Sequence, residues 1–290
     1  MPRPVASAPP AIPPAFAASA SSAPASTPPA IDRTAERDAR IREAKALLGP
    51  SAQVQVVDDV FIIIGAPGYA AYPTALELAR KAADAYFHDR ITIRPSRSIP
   101  VYVFGTTRDY DAFCVAQEGS RCISPLGFYD PQMRRVMVNA QNGLGSLTHE
   151  MMHPLIESDF PGAPDWFDEG VASLFGKAVF PRPGEVHGAK NWRLPELKRA
   201  LASPRGAQAG MDQLFGMSEY QFRDANQGLH YAMARYLCQW LDERNLLWTF
   251  YHRWRDQFAA DPSGARTFEQ VSGQTPSQAN PMWVKWVQAL

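Results

Sequence analysis

The stretch His149-Glu150-Met151-Met152-His153 restricts this chain more tightly than any other. On an α-helix, two histidines four residues apart sit about 40° apart around the axis and one turn apart along it. Both imidazoles then face the same way and can reach one metal ion. The glutamate beside the first histidine is placed to hold and deprotonate a water on that metal. A lone histidine in a helical pattern is more simply a packed side chain. Two at this spacing, with a carboxylate between them, ask for a helix whose one face carries the chemistry.

A second piece follows. Pro164-Asp165-Trp166-Phe167-Asp168-Glu169-Gly170-Val171-Ala172 opens like another helix, and Glu169 falls sixteen residues after His153. A catalytic zinc site takes three protein ligands and leaves the fourth position to water. Glu169 is the natural third ligand. Asp168, its neighbour and competitor, points about 100° away on a helix.

The H-E-x-x-H pattern is that of zinc metallopeptidases. Together with a following helix that bears a glutamate, it resembles the gluzincin branch of the zincins. The E-G-x-A form at Glu169, Gly170 and Ala172, after Pro164 and Trp166, is most similar to bacterial peptidase-MA-like domains. The resemblance spans roughly residues 101–254, and it is strong at the two metal motifs and loose elsewhere. It implies an α+β, zincin-like fold: a small mixed sheet, then two metal-binding helices, then a helical C-terminal part. It implies one Zn2+ held by His149, His153 and Glu169, and a peptide or protein substrate lying along an edge strand near residues 127–139. Glu150 would act as general base. An oxyanion donor is also needed. Gluzincins often place a tyrosine or histidine for this on a later helix, matched here by Tyr231, with His230 as the alternative. No acidic amine-binding motif of an aminopeptidase is present, which points to an endopeptidase. Two other functions stay open: a catalytically inactive zincin-like binding module, and a zinc hydrolase of a non-peptide amide.

Bulk properties narrow the partners. Lys plus Arg and Asp plus Glu number 29 each, so a general nucleic-acid role has no electrostatic support. No apolar run approaches the length of a membrane span. With 46% hydrophobic residues the chain can bury a sizeable core. Nothing in the sequence fixes the oligomeric state. Cys114 and Cys122 flank a Gly-Ser turn and could form a disulfide in an oxidising compartment, while Cys238 sits in an apolar helical pattern as a buried thiol. Residues 1–30, nearly all Ala, Pro and Ser, read as a disordered extended tail or linker ahead of a catalytic domain over 31–290. Prolines break the would-be apolar core of a signal peptide there. Such a tail fits an exported protein, periplasmic or secreted, with a cytoplasmic one still open.

Along the rest of the chain the patterns predict a helix over 34–48, a hairpin of strands 53–57 and 60–64 turning at Asp58-Asp59, and a helix capped by Thr74 that runs to about His88. A strand over 101–104, a helix over 107–117 and strand pieces at 127–129 and 135–139 follow. The metal helix is expected over 143–157. Pro154 removes the bond to the Glu150 carbonyl and predicts a kink or an early end just after His153. Asp165 is expected to cap the second helix, and Gly170 and Ala172 to let the two metal helices approach. Beyond Gly176 the chain reads as all helical, with segments at 194–201, 211–217, 227–244, 246–258 and 281–290.

Overall fold

The computed structural model describes residues 32–204 and 206–290, so the tail expected over residues 1–30 lies outside the described residues. Asp32 caps α1 (Arg33–Leu48) by accepting from the amides of Thr34 and Ala35. The hairpin forms as the sequence predicts: β1 (Gln53–Val57) pairs antiparallel with β2 (Phe61–Gly65). Asp58 and Asp59 both take positive φ, which suits a tight turn between twisted strands.

Helix α2 (Tyr72–Phe87) then crosses to β3 (Ile99–Phe104), which lies parallel to β2. Its first residue is Tyr72, with Pro73 in the first turn and no side-chain cap, so Thr74 lies inside the helix and does not cap it. Helix α3 (Thr107–Glu118) leads to the hairpin of β4 (Gly127–Asp130) and β5 (Arg135–Asn139). Strand β5 docks parallel to β3. The sheet order is β1-β2-β3-β5-β4, so the protein is mixed α+β with parallel strands at the centre and antiparallel edges. The central strands carry apolar side chains on both faces, as strands covered on both sides do. Phe61, Ile63, Val101, Val103, Val136 and Val138 belong to the larger core, which they share with the helices that follow. Ile62, Ile64, Tyr102, Phe104 and Met137 face a smaller core with Ala44 of α1 and Phe113 of α3.

After β5 the chain forms α4 (Gly145–Glu150), α5 (His153–Asp159) and α6 (Asp165–Phe175). Here the expected position of the break is corrected. The interruption falls at Met151-Met152, ahead of His153, and His153 opens α5 with Pro154 in its first turn. A proline disrupts the turn that precedes it, because its missing amide and its ring both act on the residue four back. Both methionines keep helical dihedrals, so the course of the chain bends little and the two histidines still share a face. Asp165 is also not a cap: Pro164 occupies that position and Asp165 is the first helical residue.

The region after Gly176 is not all helical. Ala178–Val179 (β6) and His187–Gly188 (β7) make a two-stranded ribbon before α7 (Leu194–Leu201). Helices α8 (Glu219–Phe222), α9 (Gln227–Asp242), α10 (Leu247–Gln257), α11 (Ala265–Ser272) and α12 (Pro276–Ala289) complete the order. Helix α11 has no counterpart in the sequence reading, Met211–Gly216 form a 3-10 helix in place of the α-helix expected over 211–217, and α12 begins at a Thr275 capping box well before residue 281. Among the described residues no helix is long and apolar enough to cross a membrane.

Candidate metal centre

Helix α4 is clamped from two sides. The Tyr86 hydroxyl of α2 donates to the Thr148 carbonyl at 2.9 Å, and the Thr148 hydroxyl donates to the Phe175 carbonyl at the end of α6 at 2.8 Å. Where α4 and α6 meet, glycine faces glycine. A Cβ on Gly145 would stand 2.6 Å from the Gly176 carbonyl oxygen, and one on Gly176 would stand 3.4 Å from the His149 Cβ. Gly170, expected at this contact, serves another: its hydrogen faces Ala234 and Cys238 of α9. The backbone approach that aims α4 at α6 therefore depends on Gly145, outside the E-G-x-A motif, while a methyl at Gly176 would make only an ordinary contact.

The side chains of His149, Glu150 and His153 converge, with donor atoms all within 4.8 Å of one another. The two imidazole rings meet edge to face at 4.9 Å, and His153 Nε2 lies 3.7 Å from Glu150 Oε2. From α6, Glu169 approaches one of them: its Oε2 is 3.3 Å from His149 Nε2, outside the group of three that lies within 4.8 Å. Two ligands of a tetrahedral zinc at about 2.0–2.2 Å stand roughly 3.3–3.5 Å apart, so this pair has the separation that an ion between them needs. Glu169 Oε2 is also buried and makes no well-aligned hydrogen bond, so its contact with His149 is the one polar contact it has among those described. The donor set, two imidazoles and two carboxylates, suits zinc. The residues present fit the ion.

Around these donors the structure adds a group that the sequence reading set aside. Asp168 Oδ1 holds His153 Nδ1 at 2.9 Å, which leaves Nε2 to face the cluster. Burial alone would lower the His153 pKa, but the carboxylates of Asp168, Glu169 and Glu150 outweigh it and hold the ring up at about 10. Burial would raise Glu169 as well. Contact with His149, the charge of His153 and a hydrogen bond from Tyr231 reverse this and hold it at about 2. Burial pushes Glu150 above the ordinary carboxyl value against the pull of both histidines.

Of the expected oxyanion donors, only Tyr231 reaches the cluster. Its hydroxyl donates to Glu169 Oε1 at 2.7 Å. His230 turns toward α8, where its Nδ1 meets the Phe222 carbonyl at 3.1 Å. Arg223 enters the site unannounced: Nη1 donates to the Tyr231 hydroxyl at 3.3 Å, Nη2 lies 3.6 Å from Glu169 Oε1, and Nε pairs with Asp165. Its only sequence neighbour in the site is Tyr231, eight residues on, so no local pattern marks it. Asp168 could have been found, because a ligating histidine commonly gives its other nitrogen to a carboxylate. The remaining histidines stay outside: His187 pairs with Glu185, His252 with the Arg90 carbonyl, and His88 lies beside Asp89.

An open cleft of about 880 Å³ adjoins the cluster through Tyr231 and runs between Ile123 to Pro125, ahead of β4, and the facing parts of α7 and α9. Strand β4 forms the outer edge of the sheet here, and a Cβ on its Gly127 would stand 3.2 Å from Glu150 Cγ. Cys114 and Cys122 form a disulfide that fastens this wall to α3, and Cys238 is free and buried. No protein-family model and no curated protein matches the chain.

Proposed function

We propose that the chain is a zincin-like metallopeptidase of the gluzincin type, an endopeptidase that holds one zinc ion through His149, His153 and Glu169. The observation that carries this is the buried Glu169 Oε2, which makes no well-aligned hydrogen bond and faces His149 Nε2 at 3.3 Å beside the His149-Glu150-His153 donor group. When bound, zinc would polarise a scissile carbonyl and acidify an attacking water. Glu150 would take that water's proton and pass it to the leaving amine, a role helped by the burial that raises its carboxyl. Asp168 would hold the His153 ring in the ligating orientation. Tyr231, engaged by Glu169 and Arg223, would turn its hydroxyl toward the charge that develops on the scissile oxygen. An extended peptide would lie along β4, whose outer side is unpaired within the sheet. The Cys114–Cys122 disulfide supports an exported protein in an oxidising compartment.

Metal analysis and a peptide-library digest test the proposal together. One zinc per chain is expected, and Glu150→Gln should keep it while losing about 10²–10⁴-fold in turnover. A Glu150→Gln protein with zinc and undiminished turnover would remove the general base. A chain that takes up no zinc would remove the enzyme.

A further inference from the structure

Two guanidinium groups converge on Tyr231, the residue shared by the donor cluster and the cleft. Arg223 approaches its hydroxyl and is also paired with Asp165. Arg193 is different. Its guanidinium lies over the Tyr231 ring at 4.9 Å and over the Trp192 ring at 4.3 Å, and Nη1 donates to the Gly228 carbonyl at 3.2 Å. Among the described residues no carboxylate comes within 4.0 Å of it. Glu196 lines the same cleft without pairing with it. Arg193 thus stands half-buried on the cleft wall against two aromatic faces, with Glu196 and Glu169 acting on it only from beyond ion-pair distance. Trp192 beside it is 70% exposed and carries the Arg193 guanidinium over its ring. A planar guanidinium held this way matches a carboxylate better than a neutral group, because the fork can donate two parallel hydrogen bonds.

We propose that the cleft is a carboxylate subsite, in which Arg193 grips an anionic group of the substrate next to the peptide bond presented at the donor cluster. The carboxylate is either the free C-terminus of a peptide or the side chain of an Asp or Glu residue close to the scissile bond. This deepens the hydrolase reading and rests on it for the fate of the substrate, but not for the binding itself.

The test measures binding to the chelator-treated full chain, where turnover cannot interfere. Three peptides of one neutral core are titrated: with a free C-terminal acid, with a C-terminal amide, and with an amide plus one internal Glu. At least one carboxylate peptide should bind roughly tenfold or more tightly than the neutral amide, and which one does so names the source. Arg193→Gln should shrink the difference below about twofold, and Arg193→Lys, which keeps the charge but loses the fork, should retain only part of it. Equal binding of all three, binding of none, or a preference left whole in either variant overturns the proposal. Should Arg193→Gln not fold, Arg193→Lys and the wild-type comparison decide. A zinc-loaded chain that cleaves the neutral amide without carboxylate preference leaves the hydrolase standing and removes the subsite. Carboxylate-selective binding by a chain that takes zinc and cleaves nothing does the reverse.

Discussion

Asp168 fixes the His153 ring by holding Nδ1, and this sets which nitrogen a metal can reach. Asp168→Ala should therefore weaken zinc binding by about 10–100-fold with the fold intact, as competition against a chromophoric chelator would read. Unchanged affinity would make the contact a bystander. A different carboxyl controls pH dependence far from the site. Asp242, the last residue of α9, is pushed by burial up to about 6, against the attraction of His187 and Arg90. Its folded pKa lies above the unfolded value near 3.9, so the native state holds the proton more tightly. Ionisation therefore costs stability as pH rises from about 4 through 6, and the cost persists above that window. Asp242→Asn should be more stable than wild type by about 1–3 kcal/mol at pH 7 and nearly equal to it at pH 4, by urea unfolding. A gain of the same size at both pH values would rule out titration as the cause.

Helix α5 shows how an element is held in place. Asp159 at its end is buried and accepts from the Thr92 amide and hydroxyl and the Ile93 amide, while Arg255 of α10 bonds both its oxygens at 2.9 and 3.0 Å. Arg255→Met should cost about 3–5 kcal/mol, because it strands a buried carboxylate, and Asp159→Asn added to it should recover part of that loss. If the double variant is as unstable as the two single losses summed, the pair is not the cause. Elements were legible in the sequence where local pattern decides them: the Gln53 to Gly65 hairpin, α3, α9 and the H-E-x-x-H turn. They were misplaced where partners far along the chain decide. The break at Met151-Met152 follows from Pro154 acting backward, but its exact turn depends on what packs around α4. Gly145 and Gly176 are 31 residues apart and look like ordinary loop glycines until the helices are laid together. Arg223 and the β6–β7 ribbon likewise have meaning only through contacts that periodicity does not encode.

At the scale of the molecule, the candidate ligands come from three helices packed on a sheet whose own strands supply none of them. A ligand that binds only this arrangement stabilises the whole fold by mass action. Zinc at a hundredfold excess over its dissociation constant should add about 2.7 kcal/mol, and for a domain of this size should raise the thermal midpoint by roughly 5–10 °C. Scanning calorimetry with and without a chelator checks it, and superimposable traces would speak against a metal held by the native state alone.

The crossing of Gly145 over Gly176 has a bearing on how this protein could vary. Main chain sits against main chain there, so how closely α4 and α6 approach depends on the missing methyl group at Gly145. An alanine at Gly145, whose Cβ would stand 2.6 Å from the Gly176 carbonyl oxygen, would act as a shim that pushes α4 off α6 and draws the donors apart.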